Sequence, residues 1–264
     1  MRVRKVFAVL GTLLALAAVV PSGAGASEET TKTKKPTVVL VHGAFADASS
    51  WNGVVERLQR KGFPVVAVAN PLRSLTGDAT YLRKVLASID GPIVLAGHSY
   101  GGMVQSEAAL GNPNVKSLVY VAAFAPEKGE SALELSGKFP GSTLGDTLST
   151  IDIGDGTKDL VIQQDKYWQQ FAADVSRKDA TLAAATQRPV NDTALTEKAG
   201  EPAWHQIPSY FVVAGKDKNI PIAAQKWMAE RAHAKAVVEV RNASHSVAVS
   251  QPDTVADLIV RAAR

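Results

Sequence analysis

Apolar residues along this chain gather in short, nearly unbroken runs, and between the runs lie amphipathic stretches of helical period. Runs near 37–42, 65–69 and Ile93–Ala96, then Leu118–Phe124, Tyr210–Ala214 and Val237–Val240, read as strands. Each is too short and too uniformly apolar for a helix with one exposed face, so each reads as a strand buried on both sides. Helical spacing near 51–61 and 78–89, and from about Ala223 to Ala232, fills gaps between the runs, and a final helix follows position 245. Strands alternating with helices predict an α/β fold, a mostly parallel sheet covered on both faces.

The alternation stops between Pro126 and Pro208. Gly137, Gly141, Gly145, Gly154 and Gly156 punctuate this stretch. Within it Ile151–Ile153 and Leu160–Ile162 suit a small hairpin, and Tyr167–Val175 looks helical. The stretch reads as a lid of about 126–208, inserted after the sixth strand of the full fold. There it hangs over the carboxyl ends of the strands, where ligands bind in open α/β sheets. Trp168 and Phe171 on its helix either line an apolar pocket or pack the lid on the body.

The chain begins differently. Met1–Lys5 is basic, Val6–Val20 is almost wholly apolar, and Pro21–Ala26 ends in an A-x-A pattern, which reads as a secretory signal peptide cut after Ala26. An uncleaved anchor is the alternative, but a run of about 15 residues is shorter than the roughly 20 that span a bilayer. Ser27–Lys35 is polar and without apolar period, and reads as a flexible tether to a domain at 36–264. The formal charge of +4 then misleads, because Arg2, Arg4 and Lys5 leave with the leader and bring it to about +1. A nearly neutral domain suggests neither nucleic acid nor a strongly anionic partner. With no cysteine, neither a lipoprotein anchor nor a disulfide is available. The histidines show no metal-ligand spacing.

The chemistry concentrates at the predicted strand ends. Gly97-His98-Ser99-Tyr100-Gly101 is a G-x-S-x-G where a strand turns into a helix. A serine there sits in a cramped turn with its hydroxyl exposed, while the flanking glycines let strand and helix approach. A structural Gly-Ser turn is the bland alternative. A serine needs a base, and the base needs a carboxylate to orient it. Asp217 follows the strand Tyr210–Ala214, and His245 follows the strand Val237–Val240. Glu127, just past Leu118–Phe124, is the rival acid, and His245 has the alternative of capping a loop. For the oxyanion, His42-Gly43-Ala44-Phe45 follows the first strand, which assigns backbone donors to Ala44 and Tyr100, or else marks a tight strand exit. Phe45, Phe124, Trp168 and Phe171 are the candidate pocket residues.

From Thr37 to Arg264 the chain resembles the serine α/β-hydrolases, and within them the branch of plant methylesterases, hydroxynitrile lyases and bacterial esterases. The likeness rests on Val41-His42-Gly43-Ala44, Trp51, Gly97-His98-Ser99-Tyr100-Gly101-Gly102, Asp217 before Ile220-Pro221, and His245 before a final helix. Similar lyases carry a threonine after the first loop histidine and a lysine after the catalytic one, where this chain has Gly43 and Ser246. Similar dehalogenases and epoxide hydrolases use an aspartate nucleophile, and position 99 is serine. The resemblance therefore implies an esterase, which with the leader gives the expectation of a secreted enzyme for a small or medium, largely apolar ester, working through an acyl-enzyme without a cofactor. Lactone or amide cleavage, cofactor-free perhydrolysis and a non-catalytic ligand-binding module are the alternatives.

Overall fold

The computed structural model describes residues 35–264, so the leader, its cleavage point and the tether up to Lys34 lie outside the described residues. The chain opens in strict alternation: β1 (Thr37–Val41), α1 (Asn52–Arg60), β2 (Val65–Val68), α2 (Leu75–Ala87), β3 (Ile93–His98), α3 (Gly101–Ala108) and β4 (Val115–Val121). An insert follows, with α4 (Ala132–Gly137), β5 (Leu148–Asp152), β6 (Lys158–Ile162), α5 (Gln164–Phe171), α6 (Arg177–Thr186), β7 (Val190–Asn191) and α7 (Asp192–Thr196). Alternation resumes with β8 (Ser209–Ala214), α8 (Ile222–Arg231), β9 (Ala236–Val240), α9 (Val247–Ser250) and α10 (Pro252–Ala262).

Six of these strands form one sheet in the order β2-β1-β3-β4-β8-β9, every neighbouring pair parallel. This is an α/β-hydrolase fold, and the uniform apolarity of its strands has a direct cause. Val38, Leu40, Val94, Ala96, Val119 and Val121 pack in one core with α1 and α10. Their alternates Val39, Val41, Ile93, Leu95, Leu118 and Tyr120 pack in a second core with α2, α3 and α8. With side chains alternating across a sheet covered on both faces, most positions of β1, β3, β4 and β8 are buried, while the outer strands β2 and β9 keep exposed positions such as Val66 and Val237. From β1 the chain moves outward to β2 and then returns to β3 on the other side, so order reverses between β1 and β3. The crevice at the carboxyl ends of such a pair is where open α/β sheets bind ligands.

Several boundaries differ from the sequence reading. Helix α2 starts earlier than 78, because the Ser74 side chain caps it by accepting the Gly77 N–H at 3.1 Å. The run Leu118–Phe124 leaves the sheet at Val121, and Ala122 takes a left-handed φ of 43°, so Phe124 sits on a loop. Helix α5 ends at Phe171 rather than Val175, since Ala172 leaves helical geometry and the Trp168 indole N–H closes the turn on the Val175 carbonyl at 3.0 Å. The small hairpin is longer than its two apolar triplets, pairing Leu148 with Ile162 through Asp152 with Lys158, and β7 adds a third strand. The insert follows the fourth strand among the described residues. It packs its apolar side chains into one core of the body and adds polar contacts, among them Arg73 on the Asp159 carboxylate at 2.7 and 2.9 Å.

Candidate active site

Ser99 lies between the last residue of β3 and the first turn of α3, at a φ of 54°. A non-glycine residue in that region is strained, and here the surroundings enforce it. The Ser99 carbonyl accepts the N–H groups of Gly102 at 2.9 Å and Phe124 at 3.2 Å, while its own N–H reaches the Val121 carbonyl at 3.3 Å. The flanking glycines are a steric requirement. A β-carbon on Gly97 would stand 2.5 Å from the Gly101 carbonyl oxygen, and one on Gly101 would stand 2.4 Å from that of Val41.

Asp217 and His245 lie in the loops after β8 and β9, which pair side by side, so parallel register brings the two loops together. The His245 Nδ1–H donates to Asp217 Oδ2 at 2.6 Å, and both side chains are at most 1% exposed. The other acceptor positions of that carboxylate are taken as well. Oδ1 accepts the N–H groups of Asn219 at 2.7 Å and Ile220 at 3.0 Å, and Oδ2 also accepts Gln225 Nε2 at 2.9 Å. Such a carboxylate is held in one orientation and fixes the imidazole with Nε2 unprotonated, able to accept a proton. Ser99 and His245 line the same cavity of about 320 Å³ without a hydrogen bond between them. Nucleophile-to-base bonds in unliganded hydrolases are commonly long and tighten around substrate.

Ala44 and Tyr100 line that cavity too, and among the described residues no protein acceptor takes either backbone N–H. Two free donors beside a serine make a place for an oxyanion. Gly43 allows it: a β-carbon there would sit 2.6 Å from Ser99 Cβ and 2.8 Å from the His98 carbonyl oxygen. The Tyr100 side chain points away from the cavity into the core, where its hydroxyl donates to Asp78 at 2.9 Å. Burial holds the Asp78 carboxyl above its ordinary range and pushes the Tyr100 phenol well above its own.

Phe45, Phe124 and Phe171 line the cavity with Leu133, Leu144 and Ile220, so the space facing Ser99 is mostly apolar. Trp168 does not join them. Its indole N–H is tied to Val175, and the Arg177 guanidinium lies over its ring at 3.9 Å, so this residue packs the insert against itself. Glu127 is equally removed from His245, since its carboxylate pairs with His205 at 3.1 Å on the surface. His42 and His98 hold the site's scaffold. The Asn70 N–H donates to His42 Nε2 at 3.0 Å, and His98 Nε2–H donates to the His245 carbonyl at 2.9 Å. Burial keeps His42 below histidine's ordinary range and His98 well below it, with neighbouring His245 adding to the effect on His98.

Two glutamines escaped the sequence reading. Gln225 on α8 holds Asp217, and its Oε1 accepts the Ala214 N–H at 3.0 Å. Gln170 on α5 donates to the Lys218 carbonyl at 2.9 Å and to Asn219 Oδ1 at 3.0 Å, fixing the loop that carries Asp217. The next carbonyl, that of Phe171, accepts from the Ser246 N–H and hydroxyl, both at 3.0 Å, and from the Ser244 hydroxyl at 3.2 Å. Helix α5 thereby clamps the acid loop and the base loop with consecutive residues. No sequence motif marks a glutamine on a helix as buried, because most are solvated. Among the described residues no three His, Cys, Asp or Glu side chains converge as a metal site.

The model of the alpha/beta hydrolase family matches residues 38–258. The chain is 28% identical over 238 residues to polyneuridine aldehyde esterase of Rauvolfia serpentina, covering 81% of this chain and 90% of that protein. It is 26% identical over 248 residues to methylesterase 2 of Arabidopsis thaliana, covering 85% and 94%. The crystal structure of polyneuridine aldehyde esterase superposes with a TM-score of 0.75 at 25% identity, over 87% of this chain and all of that one.

Proposed function

The chain belongs to the alpha/beta hydrolase family, and from that premise we propose that it is an exported serine esterase acting on small or medium, largely apolar carboxylic esters. One observation carries the reading: a strained Ser99 and a carboxylate-bound His245 open on one apolar cavity flanked by two free N–H donors. In the reaction His245 Nε2 takes the proton of Ser99 Oγ as the oxygen attacks the ester carbonyl. The Ala44 and Tyr100 N–H groups receive the oxyanion that develops. Collapse transfers the proton from His245 to the leaving alcohol and leaves the acyl group on Ser99, and water activated by the same imidazole then releases the acid. Asp217 stabilises the imidazolium in both steps and fixes its tautomer.

A cavity of about 320 Å³ lies at the small end of ligand sites and supports a compact substrate. Gly43 supports hydrolysis over the lyase chemistry of the similar branch, because a threonine side chain at that position would press on Ser99. Polyneuridine aldehyde esterase and methylesterase 2 carry esterase names, in agreement with this choice, although an alpha-hydroxynitrile lyase of Arabidopsis thaliana is similar at 24% identity as well. The chain's own leader supports export, and mature protein recovered from the medium with Ser27 at its N-terminus is the expected outcome, whereas a retained leader contradicts it.

The test uses purified protein and p-nitrophenyl esters. Turnover is expected, and Ser99→Ala lowers kcat by on the order of 10⁶-fold. A fluorophosphonate labels Ser99 in the wild type and leaves the variant unlabelled. A folded Ser99→Ala protein retaining a tenth of the turnover, or labelling at another residue, overturns the assignment.

A further inference from the structure

Behind the apolar wall of the Ser99 cavity lies a second cavity of about 370 Å³, between α5, α6, α9 and segment 46–52. Phe171 lines both spaces. Its ring meets Phe45 edge to face at 6.3 Å and lies 5.1 Å from the ring of Tyr167, whose hydroxyl donates to the Phe45 carbonyl at 2.9 Å. Phe45 faces the Ser99 side of this partition and Tyr167 the other. The second cavity reaches the surface at Leu182 and Val249, which are 58% and 41% exposed. None of the chemistry above uses it.

We propose, on the esterase reading just given, that Phe171 is a specificity-determining residue: its ring is the wall that limits how long a chain of the ester the site accepts. The space behind that ring is roughly as large as the cavity at Ser99, so removing the ring about doubles the volume open to substrate and adds the apolar surface of Ala172, Val175, Ala180 and Ala183, with Asp47 and Asp179 elsewhere on its lining. Phe171 is suited to the role because its two ends do separate jobs. Its carbonyl, which side-chain substitution leaves in place, holds the His245 loop through Ser244 and Ser246. Its ring packs on the His245 imidazole at 4.8 Å, so truncation lowers turnover of all esters in common. The ratio between long and short esters cancels that common loss and reads the wall alone.

The experiment measures kcat/KM for two series, p-nitrophenyl alkanoates and n-alkyl acetates, from four to twelve carbons in the varied chain. In Phe171→Ala the ratio of the twelve-carbon to the four-carbon ester is expected to rise by at least about tenfold in one series, the selectivity that apolar pockets give for a methylene or more. Adding Ala183→Phe, which fills the second cavity from α6, is expected to reverse most of that gain. Phe171→Leu, a smaller truncation, gives a smaller shift of the same sign and serves where Phe171→Ala fails to fold. A binding arm needs no turnover: in the Ser99→Ala background, Phe171→Ala is expected to tighten dodecanoate binding by about tenfold relative to butanoate. Unchanged ratios in both series with unchanged dodecanoate affinity overturn the proposal, as does a gain that survives Ala183→Phe. If dodecanoate affinity rises while no ester is turned over even by the wild type, the wall stands and the esterase reading falls.

Discussion

The carboxyl edge of the parallel sheet and the insert of residues 122–208 meet at the same cavity and are built on different principles. At the sheet edge Ser99 follows β3 and Asp217 follows β8, each flanked by strands on both sides, whereas His245 follows the outermost strand β9, which pairs with β8 alone; two cores clamp the sheet. The insert has a three-stranded antiparallel sheet and helices of five to ten residues. Ile162, Tyr167, Phe171, Ala180, Val190 and Ala194 join it to one core of the body, and paired contacts such as Arg73 to Asp159 and Arg231 to Glu130 add to that. Ser99, Asp217 and His245 therefore stand at the ends of parallel strands, whereas the insert brings Leu133, Leu144 and Phe171 to the cavity wall beside Phe45 and Ile220 of the body. The comparison teaches that chemistry and selectivity are separable here except at α5, where Gln170 and the Phe171 carbonyl reach across to both catalytic loops.

Substitutions at the sheet edge test the first half of that statement, after Ser99→Ala itself. Asp217→Asn is expected to lower kcat by roughly 10⁴-fold, since the amide no longer stabilises the imidazolium or enforces its tautomer. Glu127→Gln, at the surface with His205, is expected to leave kcat unchanged. The reverse pattern in steady-state kinetics would move the acid to the end of β4. Gln225→Leu removes one donor from Asp217 and leaves the carboxylate less firmly aimed, and a loss of about 10²-fold in kcat with little change in KM is expected.

Crossing to the insert, Gln170→Ala releases the loop at Lys218 and Asn219 without touching the carboxylate. Roughly a tenfold fall in kcat is expected, with KM nearly unchanged, because the residue positions Asp217 and does not line the cavity. A rise in KM alone would make α5 part of the substrate wall and nothing more, and the exception drawn above would disappear.

The smallest effect concerns stability and again distinguishes the two regions, since His42 and His98 both belong to the sheet edge. Burial lowers both in the folded protein, whereas the unfolded chain takes up their protons near pH 6.5. Below that pH the unfolded state binds more protons than the native state, so their contribution is complete above about 6.5 and is lost as pH falls. His98, which burial lowers the further, is expected to cost on the order of 1 kcal/mol per pH unit in that window, and His42 less. Urea midpoints between pH 7.5 and 5.5 measure the loss, and His98→Gln is expected to reduce the slope. A slope that the substitution leaves unchanged would place the effect elsewhere.

What was readable in advance follows the same division. All six parallel strands show in the sequence: β1, β3, β4 and β8 because burial on both faces demands apolar residues at most positions, and the outer β2 and β9 because their runs are still largely valine and alanine. The two strand-end loops beyond β8 and β9 also show, because Asp217 and His245 directly follow such runs. In the insert the hairpin was visible only as its two apolar triplets, and β7 not at all, since Val190 and Asn191 pair through backbone groups that any residue carries. Trp168 and Phe171 looked alike on one predicted helix, three residues apart. Only the end of α5 at Phe171, with Trp168 turned back onto Val175, separates a packing residue from a cavity wall.

The sequence by itself determined the α/β alternation, the placing of Ser99, Asp217 and His245 each just after a strand, and the glycines that the turn at Ser99 requires. These are local demands, each met within a few residues of chain. The tertiary structure decided that Gln225 and Gln170 hold the acid loop, that Trp168 faces away from the cavity, and that Phe171 divides two spaces. Gln170 and Phe171 depend on segments tens of residues apart arriving at one point, while Gln225 and Trp168 meet partners within ten residues through turns that their own spacing does not fix. In neither case does a side chain's spacing within its own helix record what meets it.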